Sequence, residues 1–128
     1  MSKQEIESDS APRAIGPYSQ AVRSGNFLFL SGQIPIDPAT GELIAGNVEA
    51  QTKQVLRNIE GLLKAAGLGP QNVVKATVYL KDLSTFGQMN SVYGGFFNPP
   101  YPARSTVEVK DLPKGSMVEI DVMAMFNE

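Results

Sequence analysis

Apolar and polar positions in this chain repeat with two different periods, and the switches between them predict the elements. Over residues 48–66 the apolar positions Val55, Leu56, Ile59, Leu62, Leu63 and Ala66 recur at intervals of three and four. That spacing makes one buried stripe on an amphipathic helix. Asn47 stands ready to cap its start, Glu49 sits in the first turn, and Gly67 follows its end. A second helix is expected over about residues 84–97, with Phe86, Met89, Tyr93 and Phe97 on one side. Gly94 and Gly95 weaken it, and Pro99-Pro100 stops it. The rest reads as strands. Residues 18–23 and 27–32 flank a Ser24-Gly25-Asn26 turn as a hairpin. Residues 74–81 alternate Val74, Ala76, Val78 and Leu80 against Lys75, Thr77, Tyr79 and Lys81. Residues 103–109 and 117–126 lie on either side of a Pro113-Lys114-Gly115 turn. Strands, helix, strand, helix and two strands suit an α+β fold, with a single sheet and both helices packed on one face.

The alternation of the last two strands carries an expectation about faces. In residues 117–126, Val118, Ile120, Val122, Ala124 and Phe126 form the set that helices would cover. Met117, Glu119, Asp121, Met123 and Met125 point the other way. In residues 103–109, Ala103, Ser105, Val107 and Val109 form the small, apolar set and leave Arg104, Thr106 and Glu108 opposite. Matching the two polar sets predicts that Arg104, Thr106 and Glu119 share the helix-free face. Methionines and Tyr79 among fixed charges make that face a candidate for burial in a homo-oligomer, at an interface that can also hold a site. The methionines read as interface packing, and Glu108 and Asp121 as a solvated or salt-bridged pair.

Composition narrows the chemistry. The chain has 128 residues and reads as one domain, 1–128, with 42% hydrophobic and 19% charged residues. It has no histidine, cysteine or tryptophan. This excludes imidazole-based triads, thiol catalysis, disulfides and zinc centres built on Cys and His. Catalysis must come from carboxylates, Arg, Lys, Tyr, hydroxyls or the backbone. A net charge of −2 and scattered Lys and Arg, no two adjacent, argue against a nucleic-acid partner. The longest hydrophobic run, from Val122 to Phe126, is five residues and cannot span a bilayer. The first residues, with Glu5, Glu7 and Asp9, lack the pattern of an export signal, so a cytoplasmic location is expected.

Several stretches together carry a family likeness. They are Ala14-Ile15-Gly16-Pro17-Tyr18-Ser19-Gln20-Ala21, Ser31-Gly32-Gln33-Ile34-Pro35, Gln51-Thr52-Lys53-Gln54 with Asn58, and Val78 to Leu83. Asn90 and Tyr93 follow, then Pro102-Ala103-Arg104-Ser105-Thr106-Val107-Glu108-Val109, Leu112-Pro113 and Val118-Glu119-Ile120. In order and spacing the chain closely resembles the RidA (YjgF) family of reactive-intermediate deaminases. The resemblance implies a chorismate-mutase-like fold and a homotrimer with three clefts between subunits. It implies hydrolysis of enamine and imine acids such as 2-aminoacrylate and 2-aminocrotonate to 2-keto acids and ammonia, without cofactor or metal.

By the same resemblance, Arg104 binds the substrate carboxylate and Glu119 holds the attacking water and shuttles protons. The main chain at Thr106 is the second anchor for that water, Gly32 offers a backbone N–H, and Tyr18 and Asn90 line the cleft. The residue types suit these roles: a guanidinium grips a carboxylate in two-pronged fashion, and a positioned carboxylate can move protons. Many members carry Cys where this chain has Thr106, so activity is expected to survive here while thiol-dependent regulation is not. Two other functions remain open: a non-catalytic module that binds keto acids or partners through the same clefts, and the ribonuclease activity attributed to some relatives. The acidic balance of charge disfavours the second.

Overall fold

The computed structural model describes residues 2–127. Eight strands and two α-helices follow in the order β1 (Gln4–Ile6), β2 (Ala21–Ser24), β3 (Phe27–Leu30), β4 (Ile36–Asp37), β5 (Glu42–Leu43), α1 (Val48–Ala65), β6 (Val73–Leu80), α2 (Phe86–Phe96), β7 (Ala103–Glu108) and β8 (Val118–Met125). Six strands make one mixed sheet in the order β1-β2-β3-β8-β6-β7, and β4 pairs with β5 as a separate ribbon. The pairings are antiparallel except β6 with β7, which is parallel. A parallel neighbour needs a crossover rather than a tight turn, and α2 supplies it. Among the described residues no helix is long and apolar enough to cross a membrane.

Local sequence explains α1 closely. The Asn47 side chain accepts from the Ala50 N–H at 2.9 Å. At the other end Gly67 takes φ +78°, its N–H donates to the Lys64 carbonyl, and the Leu68 N–H donates to the Leu63 carbonyl. Such paired bonds close a helix at a glycine in the left-handed region. Between the caps, Val55, Leu56, Ile59, Leu62 and Leu63 are buried against the sheet residues Val78, Val118, Ile120, Val122 and Ala124. Met89, Tyr93 and Phe97 bring α2 into the same core, as their spacing predicted. The motif polars Gln51, Thr52 and Asn58 are buried in α1 as well. Asn58 donates to the Ile36 carbonyl at 3.0 Å, and Gln51 accepts from the Met117 N–H at 2.9 Å, so these residues tie loops to the helix.

The hairpin turns where expected, but its first strand is short and Tyr18 lies in the loop before it. The β1 strand and the β4–β5 ribbon have no counterpart in the sequence expectation. A bulge between Val73 and Lys75 buries Val73 and turns Val74 out to solvent, reversing the inward position expected for Val74.

The larger correction concerns β7. Its register sets Arg104, Thr106 and Glu108 beside Ala76, Val78 and Leu80, the buried positions of β6 that face the helices. Glu119 instead lies opposite Tyr79 on the other face of the sheet. Arg104 and Thr106 therefore do not share a face with Glu119. The reason is that β7 is the edge strand. Its small residues Ala103, Ser105 and Val107 are exposed on the open face, while its polar set meets only the margin of α2. That open face also carries Phe27 and Phe29, paired with Met125 and Met123, each about 40% exposed.

Candidate functional site

On the helix-covered side, Arg104 is placed by β7 and held by α2. Its Nη1 donates to Asn90 Oδ1 at 2.7 Å. Its guanidinium carbon stands 4.7 Å from the centre of the Tyr93 ring and 5.4 Å from that of Phe86. Phe86, Asn90 and Tyr93 recur at the helical spacing, so one stripe of α2 provides both the hydrogen bond and the aromatic walls. Among the described residues the ion pair is Lys81 with Asp111, and no acidic side chain neutralises Arg104. Its remaining donors are available to an anion. Among the described residues, the two buried side-chain polar atoms without a partner, Tyr93 Oη and Thr106 Oγ1, belong to residues flanking this arginine: one against its guanidinium, one two positions along its strand.

On the other side Glu119 is half-buried against Gly32. A Cβ at position 32 would clash with the Glu119 carboxylate and force it to move, so glycine keeps the carboxylate where it stands. The segment is pinned beside β8 by reciprocal backbone bonds: Gln33 N–H to the Ile120 carbonyl at 2.8 Å, and Ile120 N–H to the Gln33 carbonyl at 3.1 Å. Ser31 N–H is taken by the Gln20 carbonyl, whereas the Gly32 N–H has no partner among the described residues. Glu119 and Gly32 line a recess of about 190 Å³ together with Arg13, Tyr18, Gln33 and Lys114. Gly16, at φ +146°, turns the chain so that Tyr18 stands at this recess, 52% exposed. Lys114 adopts φ +58°, a conformation costly for a residue with a side chain, on the same rim.

Burial pushes the Glu119 carboxyl above the usual carboxylate range, and the negative charge of Asp121 adds to the shift. Tyr79 donates its hydroxyl to Asp121 at 3.0 Å, and this hydrogen bond is the main reason its own proton is held more tightly than usual. Among the described residues no three acidic side chains gather closely enough to hold a metal ion.

The six residues expected at a site thus form two groups. Arg104, Asn90 and Thr106 stand at the margin of α2, and Tyr18, Gly32 and Glu119 surround the recess on the far side of the sheet. Residue type alone missed Asp121, Tyr79 and the aromatic wall of Tyr93 and Phe86. The alternation of β6 and β8 already put Tyr79, Glu119 and Asp121 on one face, but their contact depends on strand register. Asp121 and Glu108, read as a solvated or salt-bridged pair, make no salt bridge among the described residues: half-buried Asp121 accepts from Tyr79, and solvent-exposed Glu108 accepts from the Leu83 N–H.

Known proteins match nearly the whole length of the chain. The family described as Endoribonuclease L-PSP matches residues 8–126. A RutC family protein of Pyrococcus horikoshii is 52% identical over 95% of this chain and 97% of its own. The mouse 2-iminobutanoate/2-iminopropanoate deaminase is 46% identical over 94% of this chain and 89% of its own. The crystal structure of RidA from the Antarctic bacterium Psychrobacter sp. superposes with a TM-score of 0.92 at 46% identity, covering 96% of this chain and 99% of that one. With its helices on one face of a mixed sheet, the chain belongs to the Endoribonuclease L-PSP family, the YjgF/RidA family.

Proposed function

We propose that this protein hydrolyses reactive 2-enamine and 2-imine acids, such as 2-aminoacrylate and 2-aminocrotonate, to 2-keto acids and ammonia. We further propose that it works as a homotrimer whose clefts join Arg104 of one subunit to Glu119 of the next. The observation that carries the reading is the pairing of two incomplete half-sites. Among the described residues, one is an arginine with no acidic partner, and the other is a half-buried carboxylate beside an N–H with no partner. Opposite faces of one sheet cannot close on one small molecule, whereas neighbouring copies can. The open face, with its exposed Phe27, Phe29, Met123 and Met125, supports an interface there. The similarity to the mouse deaminase supports the chemistry.

In this scheme the Arg104 donors left free by Asn90 hold the substrate carboxylate, and the Tyr93 face keeps the guanidinium in plane. The Glu119 carboxylate and the Thr106 carbonyl hold a water against the imine carbon. The water oxygen bonds to that carbon, the C=N π electrons move to nitrogen, and the proton released from water passes to Glu119. Glu119 then protonates the amine of the carbinolamine. The C–N bond breaks as the hydroxyl oxygen forms the carbonyl and passes its proton to the Glu119 carboxylate, which releases it to solvent. Imine plus water becomes keto acid plus ammonia. A protonated imine is already electrophilic, so orientation supplies much of the rate.

A threonine or serine dehydratase coupled to the purified protein, with imine decay followed by absorbance, tests the reading. Faster decay than in buffer is expected. Arg104→Ala should lose about ten- to a hundredfold of kcat/KM, the scale of hydrogen bonds to a charged group. No acceleration by the wild type would sink the proposal, and 2-oxobutyrate binding without acceleration would favour a keto-acid-binding module. The family's description as an endoribonuclease finds little support in a net charge of −2 without a basic stripe.

A further inference from the structure

Alternation along β8 leaves Glu119 and Asp121 on one face, one pleat apart. On the neighbouring strand Tyr79 stands directly opposite Glu119, and Thr77 opposite Asp121. The Tyr79 side chain nevertheless reaches diagonally, and its hydroxyl donates to Asp121 Oδ2 at 3.0 Å. The phenol hydroxyl therefore fixes one of the two carboxylates on this face. In the cleft proposed above, Arg104 of the next subunit would also face Glu119 and favour its charged form. The β6 cation on this face, Lys75, stands opposite Met123 and donates to Ser105 Oγ at 3.3 Å, and Lys81, just past β6, is paired with Asp111 at 2.8 Å. On β7 and β3 the same face carries Ala103, Ser105, Val107, Phe27 and Phe29, none of them charged. Across the recess Arg13, Lys114 and Tyr18 face Glu119, and neither cation is in ion-pair contact with it.

We propose that Asp121, fixed by Tyr79 on the face of β8 that carries Glu119, is a positioning residue for the deamination, acting through Glu119 on the water-addition step without touching the substrate. This rests on the deaminase reading given above. A carboxylate that must take a proton from water and return it to nitrogen works best when its proton affinity lies near the working pH. Burial moves Glu119 part of the way, and the neighbouring negative charge moves it further in the same direction. Tyr79 matters because an aspartate free to swing into water would lose that influence to solvent screening.

Two measurements on the intact protein decide the matter. The first follows Glu119 itself by 13C carboxyl NMR titration, assigned with Glu119→Gln. The second is the pH profile of kcat/KM for imine decay. Asp121→Asn, nearly isosteric, should move the Glu119 midpoint and the acidic limb of the profile together to lower pH. Asp121→Glu should hold both near the wild-type position, and Tyr79→Phe should move both part of the way. A Glu119 midpoint unchanged in Asp121→Asn would overturn the proposal and reduce Asp121 to a strut for Tyr79. Because the titration needs no turnover, that result is separable from a failure of the deaminase reading, which shows as wild-type protein that does not accelerate imine decay.

Discussion

Glu119 is an unfavourable residue for stability, and its pH dependence follows from the cause. Burial and the charge of Asp121 both make the folded state bind its proton more tightly than the unfolded chain does. Below the ordinary carboxylate range both states are protonated, and the residue costs nothing. As pH rises through the unfolded value and then the raised folded one, the unfolded chain ionises first, and stability is lost. Glu119→Gln should therefore raise the unfolding temperature at neutral pH, with a gain that shrinks away below about pH 4. Thermal melts across that range check this, and a gain of equal size at low pH would point to packing rather than charge. A residue kept at such a cost, packed against a glycine, suits the proton-shuttling role proposed for it. Its type and neighbourhood in sequence were readable, but the closeness of Gly32 required the fold.

The two helices differ in how they are held. In α1, both caps and the stripe of apolar residues agree, and the predicted ends differ from the observed ones by a single residue. Its Gly61 is a packing glycine, because a Cβ there would stand 2.7 Å from the backbone oxygen of Ser10. In α2, Gly94 has open space where a Cβ would be. Gly94→Ala should thus add about 0.5–1 kcal/mol to stability by helix propensity alone, and Gly61→Ala should subtract stability by displacing the N-terminal segment. Urea denaturation of both variants measures the contrast. Two interior helical glycines with opposite expected signs could not be told apart by sequence, since only the packed neighbour separates them. The β7 strand shows the same limit. Its alternation was correct, but which side faced the helices was not legible, because an edge strand meets the core with only part of one face.

At the scale of the molecule, the decisive fact is that the half-sites lie on opposite faces of one sheet. If clefts form between subunits, Arg104→Ala and Glu119→Gln proteins, each strongly impaired alone, should complement one another. Dissociated and reassembled as an equal mixture, about a quarter of the clefts in a cyclic trimer would join an intact arginine to an intact glutamate. Recovery of imine-hydrolysing activity approaching that fraction is expected. Absence of recovery in trimers proven to be mixed by mass spectrometry would refute the shared cleft.

The sequence by itself determined what local interactions control. A cap, a terminating glycine and a stripe at helical spacing need no distant partner, and α1 followed from them. The absence of His and Cys restricted the chemistry, and the motifs around Arg104 and Glu119 carried the family. The tertiary structure decided what non-local pairing controls. A period of two assigns residues to two faces without saying which face is inside. The register of β7 against β6 turned Arg104 toward α2, and that of β8 against β6 brought Tyr79 to Asp121 beside Glu119. Register is set by the crossover and by the packing of the whole sheet, so no stretch of chain could state it alone.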